Sequence, residues 1–133
     1  CGTSRDEALS RGCHFDVVSF TWVPHRCFDE ELSNQFLALR DWEWFLDPEA
    51  LEKVDVRSVL AGDHDHLYVT WEYHVCHCTY MWRKMHRAIL KGVLLDGYLG
   101  STPHTERCEM VLVDRQNPLN DTSTIVFTKF AEC

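Results

Sequence analysis

The sequence of 133 residues has no run of about 18 apolar residues, so no part of it can cross a bilayer as a helix. It has no Gly-rich phosphate loop and no nucleophile elbow, which removes the usual signatures of nucleotide hydrolysis and of serine hydrolases. Basic residues are scarce: 13 Lys and Arg stand against 21 Asp and Glu, for a formal net charge of −8. A surface of that sign repels phosphate backbones, so nucleic acid is excluded as the main partner. There is no low-complexity tract and no linker. The length fits one domain, and residues 1–14, polar and without periodicity, are expected to form a flexible N-terminal segment ahead of a domain spanning 15–133.

What is abundant is Cys and His, seven and eight in a short chain. An odd Cys count forbids complete pairing within one chain, and a mixture of disulfides and free thiols follows. Asn120-Asp121-Thr122 is a glycosylation sequon, which has meaning only in a secretory compartment. Together with the Cys count it favours an oxidising lumen over a reducing cytosol.

The chain reads as α+β and mostly helical. Phe15 to Val23 and Thr122 to Phe130 are β-branched and aromatic, and these N- and C-terminal strands are expected to pair in a small sheet. Asp29 is placed to cap a helix carrying Leu32, Phe36, Leu37 and Leu39. Trp42, Trp44 and Phe45 form an aromatic patch at its end. A short helix is expected over 55–61, stopped by Gly62. The longest helix is predicted from His66 to Lys91, with Gly92 just past its end, and Pro103 opens another that runs to Val113.

These two long helices carry a repeated pattern. His74-Val75-Cys76-His77-Cys78 reads H-x-x-H-C, and His104-Thr105-Glu106-Arg107-Cys108 reads H-x-x-R-C. Residues at i, i+3 and i+4 share one helix face. His74, His77 and Cys78 therefore converge, with Cys76 pointing away, and His104 and Cys108 would face them from the second helix. Imidazole suits copper, iron, nickel and zinc, while thiolate favours Cu(I) and zinc. His74, His77 and His104 with an open position suit a redox copper centre or a catalytic zinc. Cys78 and Cys108 would then cross-link the helices; if reduced, they would complete a structural tetrahedral zinc site instead. Cys27 and Cys133 lie beside the two terminal strands and are candidates for a second disulfide.

Plainer roles account for the neighbours. Met81 and Met85 continue the His74/Cys78 stripe as gap fillers, with Met81 the better candidate for a soft ligand. His64 and His66 are read as loop residues flanking Asp65, and His86 falls off the motif face. Trp71, Tyr73, Tyr80 and Trp82 pack, and some would line a substrate pocket. A hydrolytic zinc enzyme would need a general base, for which Glu72 and Glu106 are the candidates.

The stretch from Leu67 to Leu112 resembles the fungal UstYa-type oxidases, whose mark is a pair of H-x-x-H-C motifs. The resemblance is carried by Tyr-Val-Thr-Trp-Glu-Tyr-His-Val-Cys-His-Cys-Thr-Tyr-Met-Trp-Arg-Lys-Met-His-Arg at 68–87 and by Pro-His-Thr-Glu-Arg-Cys-Glu-Met-Val-Leu at 103–112. The segment from Val23 to Trp44, with Pro24, Cys27, Phe28, Asp29, Glu30, Glu31 and Leu-Arg-Asp-Trp at 39–42, is also similar to that family. The resemblance implies a copper-dependent oxidase, with zinc as the alternative metal, that cyclises, dehydrogenates, hydroxylates or halogenates a peptide-derived or related natural-product intermediate. It implies a homodimer, or a heterodimer with a related member. It also implies an N-terminal membrane anchor upstream of Cys1, with the domain in the secretory lumen. The family pattern falls on His74, His77, Cys78, His104 and Cys108, and Arg107 departs from it. A guanidinium has no lone pair to give a metal. Either three His suffice, or Arg107 holds an anionic substrate group or carboxylate, or the chain is a non-catalytic subunit supporting an active relative.

Overall fold

The computed structural model describes residues 1–133 and is α+β, mostly helical with two small sheets. Helix α1 (Arg5–Ser10) is followed by strands β1 (Cys13–Asp16) and β2 (Thr21–Pro24), a short 3-10 turn (His25–Cys27), and α2 (Glu30–Leu39). Next come β3 (Trp44–Phe45), α3 (Val56–Leu60), β4 (His66–Val69), the long α4 (Trp71–Lys91), α5 (Thr102–Val113), β5 (Thr124–Phe127) and β6 (Lys129–Phe130). One sheet has the order β1-β2-β6 and the other β3-β4-β5. The terminal strands do pair: Thr21 and Trp22 of β2 lie beside Lys129 and Phe130 of β6, running parallel.

Capping explains most helix boundaries. Asp29 accepts from Leu32 N at 3.2 Å and opens α2. Thr70 accepts from Tyr73 N at 3.1 Å and opens α4, while Gly92 closes it in the left-handed region at φ 64°. Pro103 sits in the first turn of α5. Arg87 of α4 grips Asp29 through Nε at 2.6 Å and Nη2 at 3.0 Å, tying the start of α2 to the end of α4. Between these helices, Phe36 packs on Trp42, Tyr73 and Tyr80 with ring centroids 5.0, 5.2 and 5.1 Å away. The aromatic patch of the sequence is thus the centre of the core.

Four expectations need correction. Residues 1–14 are not a bare flexible segment: they hold α1 and the start of β1, Cys1 is bonded to Cys13, and Ala8 is fully buried. A helix of six residues is too short to show an apolar period, which is why its sequence looks featureless. The Phe15–Val23 run is not one strand but a hairpin, because Asp16 folds the chain back by accepting from Val18 N at 3.0 Å and Ser19 Oγ at 2.9 Å. His66–Val69 is strand rather than the start of the long helix, paired with both β3 and β5. The Thr122–Phe130 run divides between the two sheets at Thr128, whose N–H and hydroxyl donate to the carbonyls of Asp65 and His64.

Candidate metal and substrate site

Helix α4 brings His74, His77 and Cys78 to one side, and α5 crosses it there. Cys78 and Cys108 form a disulfide joining the two helices. Both are buried, and with Val111 they make a small cluster against Trp71, Val75 and Leu112. Cys27 is bonded to Cys133, and Cys76 is the free thiol, half-buried and away from the cluster. Burial and the nearby Glu72 carboxylate push that thiol up, so it is a poor nucleophile.

His77 is the pivot. Its Nδ1–H donates to the carbonyl of Val18, which fixes the tautomer and leaves the Nε2 lone pair free. Nε2 of His104 lies 3.2 Å away. This spacing suits a hydrogen bond from His104 Nε2–H, and it equally suits two imidazoles sharing one tetrahedral ion with bonds of about 2.0–2.1 Å. Tyr98 packs its ring 4.3 Å from that of His104, and Lys129 places its ammonium 4.4 Å from the centroid of the same Tyr98 ring. His104 also approaches Cys108 Sγ at 3.8 Å.

The expected three-His set is not closed. The one group whose ligand atoms all lie within 4.8 Å of one another is His77, Cys78 and Cys108. Its two sulfurs are spent in the disulfide and offer no thiolate. His74 stands one helical turn before the crossing point, its ring 5.3 Å from that of Trp71 and 5.9 Å from that of His77. Its Nδ1 is buried with no hydrogen-bond partner. An orphaned imidazole nitrogen beside a facing imidazole pair fits a cation-binding role, and for a neutral donor set of this kind copper and zinc are both suitable.

All three rings are held neutral. Burial lowers His77 to about 3, opposed by the Val18 hydrogen bond and aided by His74, His104 and Lys129. Burial likewise lowers His74 to about 4, helped by the repulsion that a protonated ring would meet from His104 and Arg107. His104 is lowered by burial, Lys129 and Arg107, with Asp96 working the other way. Neutral imidazoles keep their lone pairs for a metal at physiological pH. Arg107 is itself exposed, and its charge acts on His74 and His104 from the rim.

Beside His104 a cavity of about 330 Å³ opens between α4 and α5, with Met81, Trp82, Met85, Leu99, Leu112 and Val113 among its mostly apolar walls. Met81 and Met85 therefore form pocket wall as well as packing, and Trp82 is 66 % exposed at its edge. Tyr73 and Tyr80 belong to the core. His64 bonds Ser58 Oγ at 2.9 Å, His66 packs on Phe127 from β4, and His86 is exposed, so none reaches the site. Glu72 is taken by Arg40 at 3.0 Å and Glu106 is exposed, which leaves no acid poised as a base beside the imidazoles. Asn120 is exposed in the loop before β5. Reading the sequence missed Val18, Tyr98 and Lys129. Val18 acts through its backbone, and the other two come from separate segments with no motif. Burial draws Lys129 down to about 8.

Two known proteins are similar to the chain: phomopsin biosynthesis cluster proteins B′ and B of Diaporthe leptostromiformis. Each is 29 % identical over 131 residues, covering 91 % of this chain and 38 % of the relative. The chain thus spans well under half the length of the curated relatives it matches. No protein-family profile matches it, and no solved structure does. No helix is long and apolar enough to cross a membrane.

Proposed function

We propose that this chain is the metal-binding domain of a UstYa-type oxidase that modifies an intermediate in fungal natural-product biosynthesis, with copper as the metal and zinc as the alternative. The observation that carries this reading is the neutral His77–His104 pair, Nε2 to Nε2 at 3.2 Å, on two helices cross-linked immediately alongside. The similarity to two phomopsin biosynthesis cluster proteins supports the biosynthetic setting. His77 and His104 would hold the ion, and His74 offers the third nitrogen. Copper, when bound, supplies one-electron redox chemistry driven by dioxygen.

The protein's own part is orientation and exclusion of water. The Val18 carbonyl keeps His77 in the tautomer whose Nε2 faces His104. Tyr98 fixes the plane of the His104 ring, and the Cys78–Cys108 bond keeps α5 from drifting away from α4. An apolar group of the substrate would lie in the cavity between the helices, next to His104. The expected disulfides, the glycan at Asn120, the membrane anchor and the luminal location form one consistent setting.

A second reading is favoured by Arg107, an exposed cation where the repeated motif has His: the chain would be a non-catalytic subunit of a related active oxidase. One genetic experiment separates the two. In the producing fungus, the gene is deleted and, separately, replaced by a His77→Ala/His104→Ala form. The enzyme reading predicts that both strains accumulate an intermediate differing from the product by two hydrogens or one oxygen. Normal product from the double variant, with none from the deletion, would favour the subunit. Normal product from both would overturn the biosynthetic assignment.

A further inference from the structure

Helix α4 carries a buried charge that the proposed chemistry does not use. Lys84 lies two turns beyond His77 on the same face and is 3 % exposed. Its ammonium donates to Asp16 Oδ2 at 2.7 Å and to Asp96 Oδ2 at 2.8 Å. Both carboxylates are buried as well. Burying an ammonium and two carboxylates is costly, and apolar residues of the same size would hold the fold at least as well. What the cluster does for the two histidines offers a reason for it.

Each carboxylate has a second oxygen, and each uses it on a different half of the site. Asp16 Oδ1 accepts from Val18 N at 3.0 Å and Ser33 Oγ at 2.9 Å, and Oδ2 accepts from Ser19 Oγ at 2.9 Å. These bonds shape the turn from Val17 to Phe20. Phe20 adopts φ 52° there, a conformation a bulky side chain reaches only when its surroundings impose it. The turn presents the Val18 carbonyl to His77 and the Val17 carbonyl to the Tyr73 hydroxyl at 2.8 Å. Asp96 Oδ1 accepts from Tyr98 N at 3.1 Å and Leu99 N at 2.8 Å. It thereby sets the loop that lays Tyr98 on His104 and Leu99 into the cavity wall. One ammonium thus joins the support of His77 to the support of His104.

We infer that Lys84 is a positioning residue: through Asp16 and Asp96 it locks the backbone turns that orient His77 and His104 towards each other. The inference rests on the reading of those two imidazoles as the functional pair, but its test does not need metal or substrate. Long-range proton–nitrogen NMR of the metal-free full chain reads the tautomer of each ring and the exchange rate of its proton. Wild type should show His77 locked in the Nδ1–H form. Asp16→Asn cannot accept from both Ser19 and Lys84 while holding Val18. It should speed exchange of the His77 ring proton about tenfold or more, as expected for loss of one charge-assisted hydrogen bond, and leave His104 alone. Asp96→Asn should shift the His104 signals and leave His77 alone. Lys84→Met should move both.

A purely structural role predicts lower stability with no selective effect on either ring. The inference is overturned if the folded carboxamide variants move both rings alike or neither. It is also overturned if folded Lys84→Met leaves both rings as in wild type. Should Lys84→Met not fold, the single variants decide, since each keeps one Lys84–carboxylate pair. Failure of all three to fold would make the cluster a stability element alone and would likewise overturn it. Since the protein is metal-free, a negative metal titration leaves this outcome standing, and the two ideas fail separately.

Discussion

Replacing Cys78 and Cys108 together with Ala removes the cross-link between the motif helices without adding polar atoms to the core. The bond closes a sequence separation of 30 residues. The loop-closure relation gives about 3.5–4 kcal/mol of stabilisation at 25 °C for a loop of that size. Little else compensates, because Cys108 and Val111 are the only buried residues of α5. A loss of that size corresponds to a fall in melting temperature of roughly 13 °C for a chain of this length. The effect should also be uneven. Helix α5 should lose its amide-exchange protection first, while the core around Phe36 and Tyr73 keeps its own until global unfolding. Denaturant melts of the double variant, paired with native-state hydrogen exchange, read both quantities. A loss below about 1 kcal/mol with α5 still protected would refute the view that the disulfide is the main tie between the helices.

Two further perturbations test the frame around the site. Phe36→Ala empties a fully buried position ringed by Trp42, Tyr73 and Tyr80, and should cost about 3–5 kcal/mol in a denaturant melt, whereas Phe36→Leu should cost clearly less. Asp29 supplies a pH test. Burial works to raise its carboxyl, but hydrogen bonds from Arg87 and Leu32 N, with the charges of Arg87 and Lys91, hold it below its ordinary 3.8. A depressed folded value means that its contribution is complete above pH 3.8 and is lost as pH falls through the folded value. Stability measured from pH 6 down to pH 2 should therefore fall more gently in Asp29→Asn than in wild type. Parallel acid limbs would contradict the ion pair with Arg87.

The helices were legible because their signals are local. Asp29, Gly92 and Pro103 mark boundaries through cap chemistry, and the motif residues share a face by the 3.6-residue period. The hairpin from Phe15 to Val23 was not, because its turn contains no Gly, Pro or Asn. A side chain at Asp16 and a left-handed Phe20 make it instead. His66–Val69 adjoins a helix with no break in hydrophobic pattern, and only pairing with distant β3 and β5 makes it strand. For the site, spacing put His77, Cys78, His104 and Cys108 on facing helices. It did not place His74 relative to the crossing, since a shared helix face does not say at which turn another helix will cross. The Val18 carbonyl and the Lys84 cluster lay beyond reach: Lys84 finds Asp16 at 68 positions' distance, and nothing near it in sequence marks it as buried.

The central claim is that His77 and His104 together hold a metal ion. Calorimetric titration of the metal-free protein with copper, and separately with zinc, tests it most directly when run on wild type, His77→Ala, His104→Ala and the off-site control His86→Ala. Wild type and His86→Ala should each take up one ion per chain. Each of the other two variants should lose more affinity than the roughly 10–100-fold that removal of an outer-shell partner costs. Equal binding by all four proteins, or no binding by wild type, would contradict it.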